Sequence, residues 1–226
     1  PSPYRLLEDV ISEQRPRIVG ISAFTSEAEN ARKVARLVKE LNRNITTVIG
    51  GSHASALPED LLKEEISLDL LVHGEGEITF AEITERVESG SDFCDVDGIA
   101  YRDGERIIVN PRRKLIESLE VLPFPARDQL EMDKYIPSPG TGNYMRLPTT
   151  GIMASRGCPY RCNYCSKGVW EDTIRFRSVE NVLSEIEHCI EKYGIYDFRF
   201  YDDGLTLPQW DLKRFCELVS HRGLKI

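Results

Sequence analysis

Several features that mark other classes of protein are missing from this sequence. No apolar run approaches the length needed to cross a bilayer, since stretches such as residues 68–72 are broken by Asp or Gly. The chain opens on Pro-Ser-Pro, without the basic and apolar regions of a secretory signal, so we expect a cytoplasmic protein with no membrane span. Acidic residues outnumber basic ones, with 37 Asp and Glu against 29 Lys and Arg and a net charge of -8. This charge argues against nucleic acid as the main partner.

The six cysteines do not form the spacing pattern of a disulfide framework. Three stand alone along the chain, and the other three, Cys158, Cys162 and Cys165, fall close together. Disulfides persist in oxidising compartments, whereas a tight cysteine group in an intracellular chain more often ligates a metal. The pattern therefore indicates metal ligation in a reducing compartment.

Apolar runs and amphipathic segments alternate through the first part of the chain. Short apolar runs that end in small residues predict buried parallel strands, and apolar residues spaced by three and four predict helices. The predicted strands are residues 17–24, 46–49 and 68–72, and the predicted helices are residues 28–41, 58–65 and 78–88. This alternation predicts an α/β fold with a doubly wound, Rossmann-like parallel layer.

The pattern changes after Ser89. Asp103 and Gly104 separate two apolar runs, which predicts a β-hairpin, and prolines then recur up to Pro148 as in an ordered linker. A second α/β run follows, with strands predicted at residues 151–154 and 197–201 and helices at residues 179–193 and 208–221. We predict an α/β domain at residues 1–95, the hairpin and linker at 96–148, and the first part of a second α/β domain at 149–226.

The cysteine group has the spacing CxxxCxxC and lies between a predicted strand and a predicted helix. Structural zinc normally takes four protein ligands, and ferredoxin-type clusters also use four cysteines. Here a fourth is missing, because Cys189 and Cys216 lie on apolar faces of predicted helices and are expected to be core residues. A four-iron four-sulfur cluster held by three thiolates has one open iron, although a zinc or incidental cysteine cluster is the plain alternative.

These residues resemble the radical S-adenosylmethionine (SAM) superfamily, in which CxxxCxxC follows the first strand of a βα barrel. The resemblance implies a four-iron four-sulfur cluster on Cys158, Cys162 and Cys165, with SAM bound at the open iron and cleaved to a 5′-deoxyadenosyl radical. It also implies an external electron donor of the flavodoxin or ferredoxin type.

Three further residues are matched to SAM contacts by the same resemblance. Tyr164 occupies an aromatic position that packs near the adenine, with an ordinary loop aromatic as the alternative. Asp202 and Asp203 follow a predicted strand, and ligands of α/β proteins sit at the carboxyl ends of strands. One of the two carboxylates is expected to meet the SAM amino group; a turn or capping role is the alternative.

The ends of the first strands resemble the cobalamin-binding domain that precedes many radical SAM domains. Ser22 and the pair Gly50 and Gly51 match positions that hold the nucleotide tail of cobalamin. The Asp-x-His-x-x-Gly loop that can supply the lower cobalt ligand is not in this sequence, and His53 and His73 are interpreted as structural. The likeness extends through residues 123–127, a linker feature of the same fused family.

The combined resemblance is to cobalamin-dependent radical SAM enzymes of the methyltransferase and anaerobic magnesium-protoporphyrin monomethyl ester cyclase type. It implies a small-molecule or cofactor-precursor substrate. A barrel needs more strand–helix units than the two seen here, with a third strand expected from Leu224, so the chain is expected to be a fragment with limited activity alone. A methylthiotransferase-like protein without cobalamin and a non-catalytic iron–sulfur protein remain the alternatives.

Overall fold

The computed structural model describes residues 2–132 and 148–226. They divide into two compact units, Pro1–Leu115 with Ser166–Val169 and Ile116–Cys165 with Trp170–Ile226. The limits predicted at residues 95 and 148 stay predictions, and most of the predicted linker beyond residue 132 lies outside the described residues. Within the described ranges, no helix is long and apolar enough to span a bilayer.

The first unit is a five-stranded sheet with helices on both faces. Its elements in chain order are α1 (Pro3–Gln14), β1 (Ile18–Ser22), α2 (Ala28–Leu41), β2 (Thr46–Gly50), α3 (Ser52–Ala56), α4 (Pro58–Glu64), β3 (Leu70–Val72), α5 (Glu77–Ser89), β4 (Ile99–Asp103) and β5 (Arg106–Val109). The strand order is β1-β2-β3-β4-β5; β1, β2 and β3 run parallel, and β4 and β5 are antiparallel to their neighbours. The predicted α/β class with a parallel layer is confirmed.

Successive residues of the central strands face different helices, as the period of a strand requires. Ile49 and Leu71 belong to the core cluster that contains buried residues of α2 and α4, whereas Val48 and Leu70 pack in the cluster of Ile83 on α5. All five side chains are at most 2% exposed. Burial of each contributes about 1.5–3 kcal/mol, so the continuous apolar runs are what hold the layer together.

Helix α1 was not predicted, although its start signals are present. The hydroxyl of Ser2 accepts a hydrogen bond from the backbone N–H of Tyr4 at 3.3 Å, and Pro3 occupies the first turn. Leu7 and Ile11, spaced by four, pack in a cluster with residues of α2 and β1. The segment before the first predicted strand is short, so its helical periodicity was not apparent from the sequence.

The predicted hairpin is confirmed as β4 and β5, with Gly104 at a φ of 59° in its turn. Strand β4 also pairs antiparallel with β3, where Leu71 is opposite Ala100. The hairpin therefore extends the parallel layer of the first unit. Local turn chemistry indicated the hairpin, but its pairing with β3 is a long-range contact that local pattern does not encode.

The second unit contains one βαβ arrangement and a small ladder. Its elements are β6 (Thr149–Ile152), β7 (Ser155–Arg156), β8 (Arg175–Phe176), α6 (Val179–Tyr193), β9 (Asp197–Phe200) and α7 (Leu212–His221). Strands β6 and β9 are parallel, while β7 and β8 pair antiparallel. Ile152 packs with Val182 and Ile186 of α6 and with Phe215 of α7 in the core of this unit.

Two predicted elements of the second unit differ from the structure. Helix α7 begins at Leu212 and not at Pro208, because the Asp211 side chain caps it by accepting a hydrogen bond from the backbone N–H of Arg214 at 2.8 Å. The strand expected from Leu224 is absent from the described residues, which end there without sheet pairing.

Candidate functional site

The cysteine loop, residues 157–174, is closed at its base by the pairing of β7 with β8. Gly157, which follows β7, has a φ of 92°. A Cβ atom at this position would lie 1.9 Å from the carbonyl oxygen of Thr173, so the close approach of the two ends of the loop requires glycine. The loop therefore leaves and returns at one fixed place beyond the carboxyl end of β6.

Cys158, Cys162 and Cys165 all lie in this loop, and none is disulfide-bonded. The backbone N–H of Cys165 donates to the carbonyl of Cys162 at 3.0 Å, which forms a turn between them. Cys162 and Cys165 are exposed, and Cys158 is partly buried. The loop thus carries three thiols in one short, turned segment, two of them on exposed residues.

The spread of these thiols bears on which metal group they fit. Their sulfur atoms do not form a group within 4.8 Å of one another; in the described part of the chain, the group that meets this distance is Asp92, Cys94 and Asp95. Tetrahedral zinc holds its sulfur ligands about 3.8 Å apart, whereas a four-iron cubane binds each thiolate at a different iron. Three thiolates from one loop also leave a tetrahedral zinc ion one protein ligand short, so the donor set suits a cubane with one open iron.

Two exposed tyrosines lie in the cysteine loop and directly after β9, respectively. Tyr164, inside the cysteine loop, is 93% exposed. Tyr201 packs over Gly151 of β6, where a Cβ atom would lie 2.7 Å from the ring. Its backbone N–H donates to Ile152 at 2.9 Å, and its side chain is 62% exposed. No local pattern in the sequence marks Tyr201, because its position over Gly151 depends on the pairing of the two strands.

Asp202 and Asp203 follow β9 but differ in environment. The carboxylate of Asp202 accepts hydrogen bonds from the backbone N–H of Ala154, at 3.2 Å, and from the backbone N–H of Ser155. It also accepts one from the Ser155 hydroxyl at 2.5 Å. Asp203 is exposed. The two carboxylates, which the sequence did not distinguish, therefore differ in the structure: that of Asp202 is hydrogen-bonded within the chain, and Asp203 is exposed.

A buried ionic network supports β6 and α6. The guanidinium of Arg127 donates to the Gly151 carbonyl at 2.8 Å and pairs with Glu185 of α6 at 2.7 Å. Arg177 pairs with the other carboxylate oxygen of Glu185 and donates to the Met153 carbonyl at 2.9 Å. Arg177 is thus engaged in the second unit itself.

In the first unit, the residues matched to cobalamin contacts come together at the carboxyl ends of β1 and β2. Ser22 pairs with Gly50 in the parallel register. Gly51 has a φ of 96°, and a Cβ atom there would lie 2.8 Å from the carbonyl oxygen of Ala23 and 3.1 Å from the Ser22 hydroxyl. The exposed hydroxyl of Ser22 and the backbone of Gly50 and Gly51, which carries no side chains, form a ledge that fits a polar nucleotide tail.

The two histidines beside this ledge are buried, each 7% exposed. His53 Nδ1 lies 3.3 Å from the Thr25 hydroxyl. His73, which follows β3, has its pKa lowered by burial, and its Nε2 has no hydrogen-bond partner among the residues that the structure describes. Burial of both rings agrees with the structural interpretation.

The remaining cysteines behave differently from one another. Cys189 is fully buried in α6, and burial raises the pKa of its thiol. Cys216 was expected in the core but is exposed, because α7 packs through Phe215, Leu218 and Val219 and turns Cys216 outward. Cys94 is exposed and precedes β4. None of the three lies in the cysteine loop.

Comparison with known proteins finds similarity to both units of the chain. Residues 2–84 match the family model of the B12 binding domain. An uncharacterised methyltransferase of Pyrococcus horikoshii is 36% identical over 221 residues, which cover 96% of this chain and 46% of that protein. The anaerobic magnesium-protoporphyrin IX monomethyl ester cyclase of Rubrivivax gelatinosus is 31% identical over 98% of this chain and 40% of that protein. Over nearly its whole length the chain is similar to enzymes of the cobalamin-dependent radical SAM type, and its first part matches the B12 binding domain.

A solved structure shares the fold of this chain. The radical S-adenosylmethionine methyltransferase TsrM from Kitasatospora setae, determined with cobalamin and a four-iron four-sulfur cluster bound, matches it with a TM-score of 0.71 at 18% identity. The match covers 98% of this chain and 43% of the solved chain. The chain spans less than half the length of these three similar proteins.

Proposed function

We propose that this chain carries the cofactor sites of a radical SAM enzyme that also uses cobalamin. The observation that carries the proposal is the donor set: three thiols from one turned loop, closed at its base, with the other cysteines placed elsewhere. Cys158, Cys162 and Cys165 would hold a four-iron four-sulfur cluster. When bound, such a cluster supplies an open iron that chelates SAM and an electron that cleaves it to a 5′-deoxyadenosyl radical.

The chain's own residues position these groups. The β7–β8 ladder and Gly157 fix where the cysteine loop begins and ends. Exposed Tyr164 is proposed to stack on the SAM adenine, and one carboxylate of the pair Asp202 and Asp203 to accept a hydrogen bond from the SAM amino group.

The cobalamin site is proposed at the ledge of the first unit. The Ser22 hydroxyl is available for a hydrogen bond, and the backbone of Gly50 and Gly51 allows close approach of a bulky ligand. Neither His53 nor His73 is proposed as a cobalt ligand, because both rings are buried.

The substrate is proposed to be a small molecule or a cofactor precursor, with methyl transfer and ring closure both open as outcomes. The cluster requires an electron donor of the flavodoxin or ferredoxin type and a reducing, cytoplasmic setting. A net charge of -8 disfavours nucleic acid as a partner.

The cluster is tested by anaerobic reconstitution with iron and sulfide, followed by electron paramagnetic resonance of the reduced chain with and without SAM. We expect four irons per chain and a spectrum that changes when SAM is added. An intact cluster whose spectrum ignores SAM would instead support a non-catalytic iron–sulfur protein.

Cobalamin binding is tested separately by hydroxocobalamin absorbance retained after gel filtration. Gly51→Ala introduces a Cβ atom against Ala23 and Ser22 and should lower cobalamin retention. Gly90→Ala is the control, because its φ of 69° gives similar backbone strain at a position away from the ledge with no atom within 4 Å. Retention by neither the unaltered chain nor either variant would favour a methylthiotransferase-like protein whose first unit does not bind cobalamin.

A further inference from the structure

The carboxylate of Asp202 already accepts three hydrogen bonds from within the chain. Its Oδ2 accepts from the backbone N–H of Ala154, and its Oδ1 accepts from both the backbone N–H and the hydroxyl of Ser155. Ala154 and Ser155 are 0% and 1% exposed. Three donors from two buried residues therefore converge on one side chain.

These donors belong to the turn that connects β6 to the cysteine loop. Pairing of β6 with β9 ends at Ile152 and Phe200, so the N–H groups of Ala154 and Ser155 lie beyond the ladder. A buried N–H without a partner is costly, and here the Asp202 side chain takes the place of the missing strand acceptor. On the other side of the turn, the Ala154 carbonyl accepts from the backbone N–H of Arg177 at 2.8 Å.

The turn sets the direction in which the cysteine loop leaves the sheet. Ser155 begins β7, which pairs with β8, and Gly157 follows at the narrow base of the loop. Cys158 comes next. Hydrogen bonds to a charged acceptor are about twice as strong as neutral ones, so Asp202 fixes this direction more firmly than a backbone carbonyl would.

We propose that Asp202 is a positioning residue that orients the cysteine loop, and that it is not a SAM contact. Its link to the cluster rests on the proposed function, whereas its effect on the turn does not. A carboxylate has about four acceptor positions, and three donors already engage this one. Exposed Asp203 is its natural comparison, since it has the same charge one residue away.

The turn is tested first, in the chain without iron, by amide hydrogen exchange at Ala154 and Ser155. Asp202→Asn replaces one acceptor oxygen by an NH₂ donor that faces the N–H of Ala154 or of Ser155, and it removes the charge from the other acceptor. Exchange should therefore accelerate, by about tenfold or more at the amide that loses its acceptor oxygen. Ser155→Ala removes one donor while it adds no bulk, and should accelerate exchange less. Unchanged exchange in Asp202→Asn, with the fold intact by circular dichroism, would overturn the proposal.

The consequence is tested in the reconstituted chain by the rate of iron loss to a chelator without SAM. Asp202→Asn should lose iron about tenfold faster and show a broadened resonance signal, whereas Asp203→Asn should match the unaltered chain. The double variant Ser155→Ala/Asp202→Asn should lose iron no faster than Asp202→Asn alone, because the two side chains act through one contact.

The outcomes distinguish a positioning role of Asp202 from a contact with SAM. If Asp202→Asn keeps its iron at the normal rate but needs more SAM to change the spectrum, Asp202 contacts SAM and the proposal is wrong. If the unaltered chain takes up no cluster while hydrogen exchange responds as expected, the proposed function fails and the positioning role of Asp202 in the turn stands.

Discussion

Arg127 and Glu185 form an ion pair at 2.7 Å with 5% and 2% of their side chains exposed. Arg177 contacts the second oxygen of the same carboxylate. Two guanidinium groups therefore share one anion inside the second unit, where charges tolerate burial only when they are paired. The network joins the residues after the first linker prolines to β6 and α6, the elements that present the cysteine loop.

Removal of the shared charge should destabilise the second unit strongly. Glu185→Gln leaves two buried guanidinium groups without a counter-ion, and we expect the free energy of unfolding to fall by roughly 3–5 kcal/mol. Both tryptophans, Trp170 and Trp210, lie in the second unit, so their fluorescence in urea measures its unfolding directly. Glu187→Gln is the control, because its pair with Arg222 is partly exposed and should contribute about 1 kcal/mol or less. Equal losses in the two variants would mean that burial does not strengthen the network.

Glycine at position 157 should be required for cluster uptake. In Gly157→Ala the new methyl group meets the Thr173 carbonyl oxygen at a backbone φ of 92°, so the base of the loop must open. We expect the iron content after reconstitution to drop well below half that of the unaltered chain. Gly168→Ala, where the nearest atom is the Ser166 hydroxyl at 3.7 Å, should keep its iron. Normal iron uptake by Gly157→Ala would show that the closed base is dispensable.

The cysteines should divide cleanly between ligands and packing residues. Cys162→Ala is expected to abolish a stable four-iron cluster, whereas Cys189→Ala should keep the cluster and cost about 1–2 kcal/mol of packing in α6. Iron content and unfolding by tryptophan fluorescence measure the two effects on the same samples. Loss of the cluster in both variants would overturn the ligand assignment.

The stability of the first unit should fall in mildly acidic solution because of His73. Burial lowers the pKa of this ring in the folded chain, whereas the unfolded chain takes up the proton near pH 6.5. Between these two pKa values the unfolded state binds more protons, so the free energy of unfolding decreases as the pH drops below about 6.5 and is level above it. His73→Gln should flatten this slope, measured by urea unfolding followed with far-ultraviolet circular dichroism. A slope that persists unchanged would assign the effect to another group.

Local chemistry in the sequence predicted most of the elements. The apolar runs of β2 and β3, the spacing of α2 and the turn at Gly104 all act over a few residues, and they appear in the structure close to their expected limits. The cysteine loop was likewise found from spacing alone. Its three thiols are local by nature, since they belong to one segment.

What the sequence concealed depends on contacts between distant residues. The sequence does not distinguish Asp202 from Asp203. In the structure, Asp202 accepts hydrogen bonds from Ala154 and Ser155, whereas Asp203 is exposed. Glu185 carried a usable signal, because a carboxylate beside Val182 and Ile186 on the apolar face of α6 needs a buried partner. Its partner Arg127 lies in a stretch without periodicity, so local pattern gave no indication of the pair.

The most direct test is a Mössbauer spectrum of the chain reconstituted with iron-57, recorded with and without SAM. Three thiolate ligands leave one iron of the cluster chemically distinct. We predict that SAM shifts the signal of one iron in four and leaves the other three unchanged. Four equivalent irons that do not respond to SAM, or bound zinc in their place, would contradict the account.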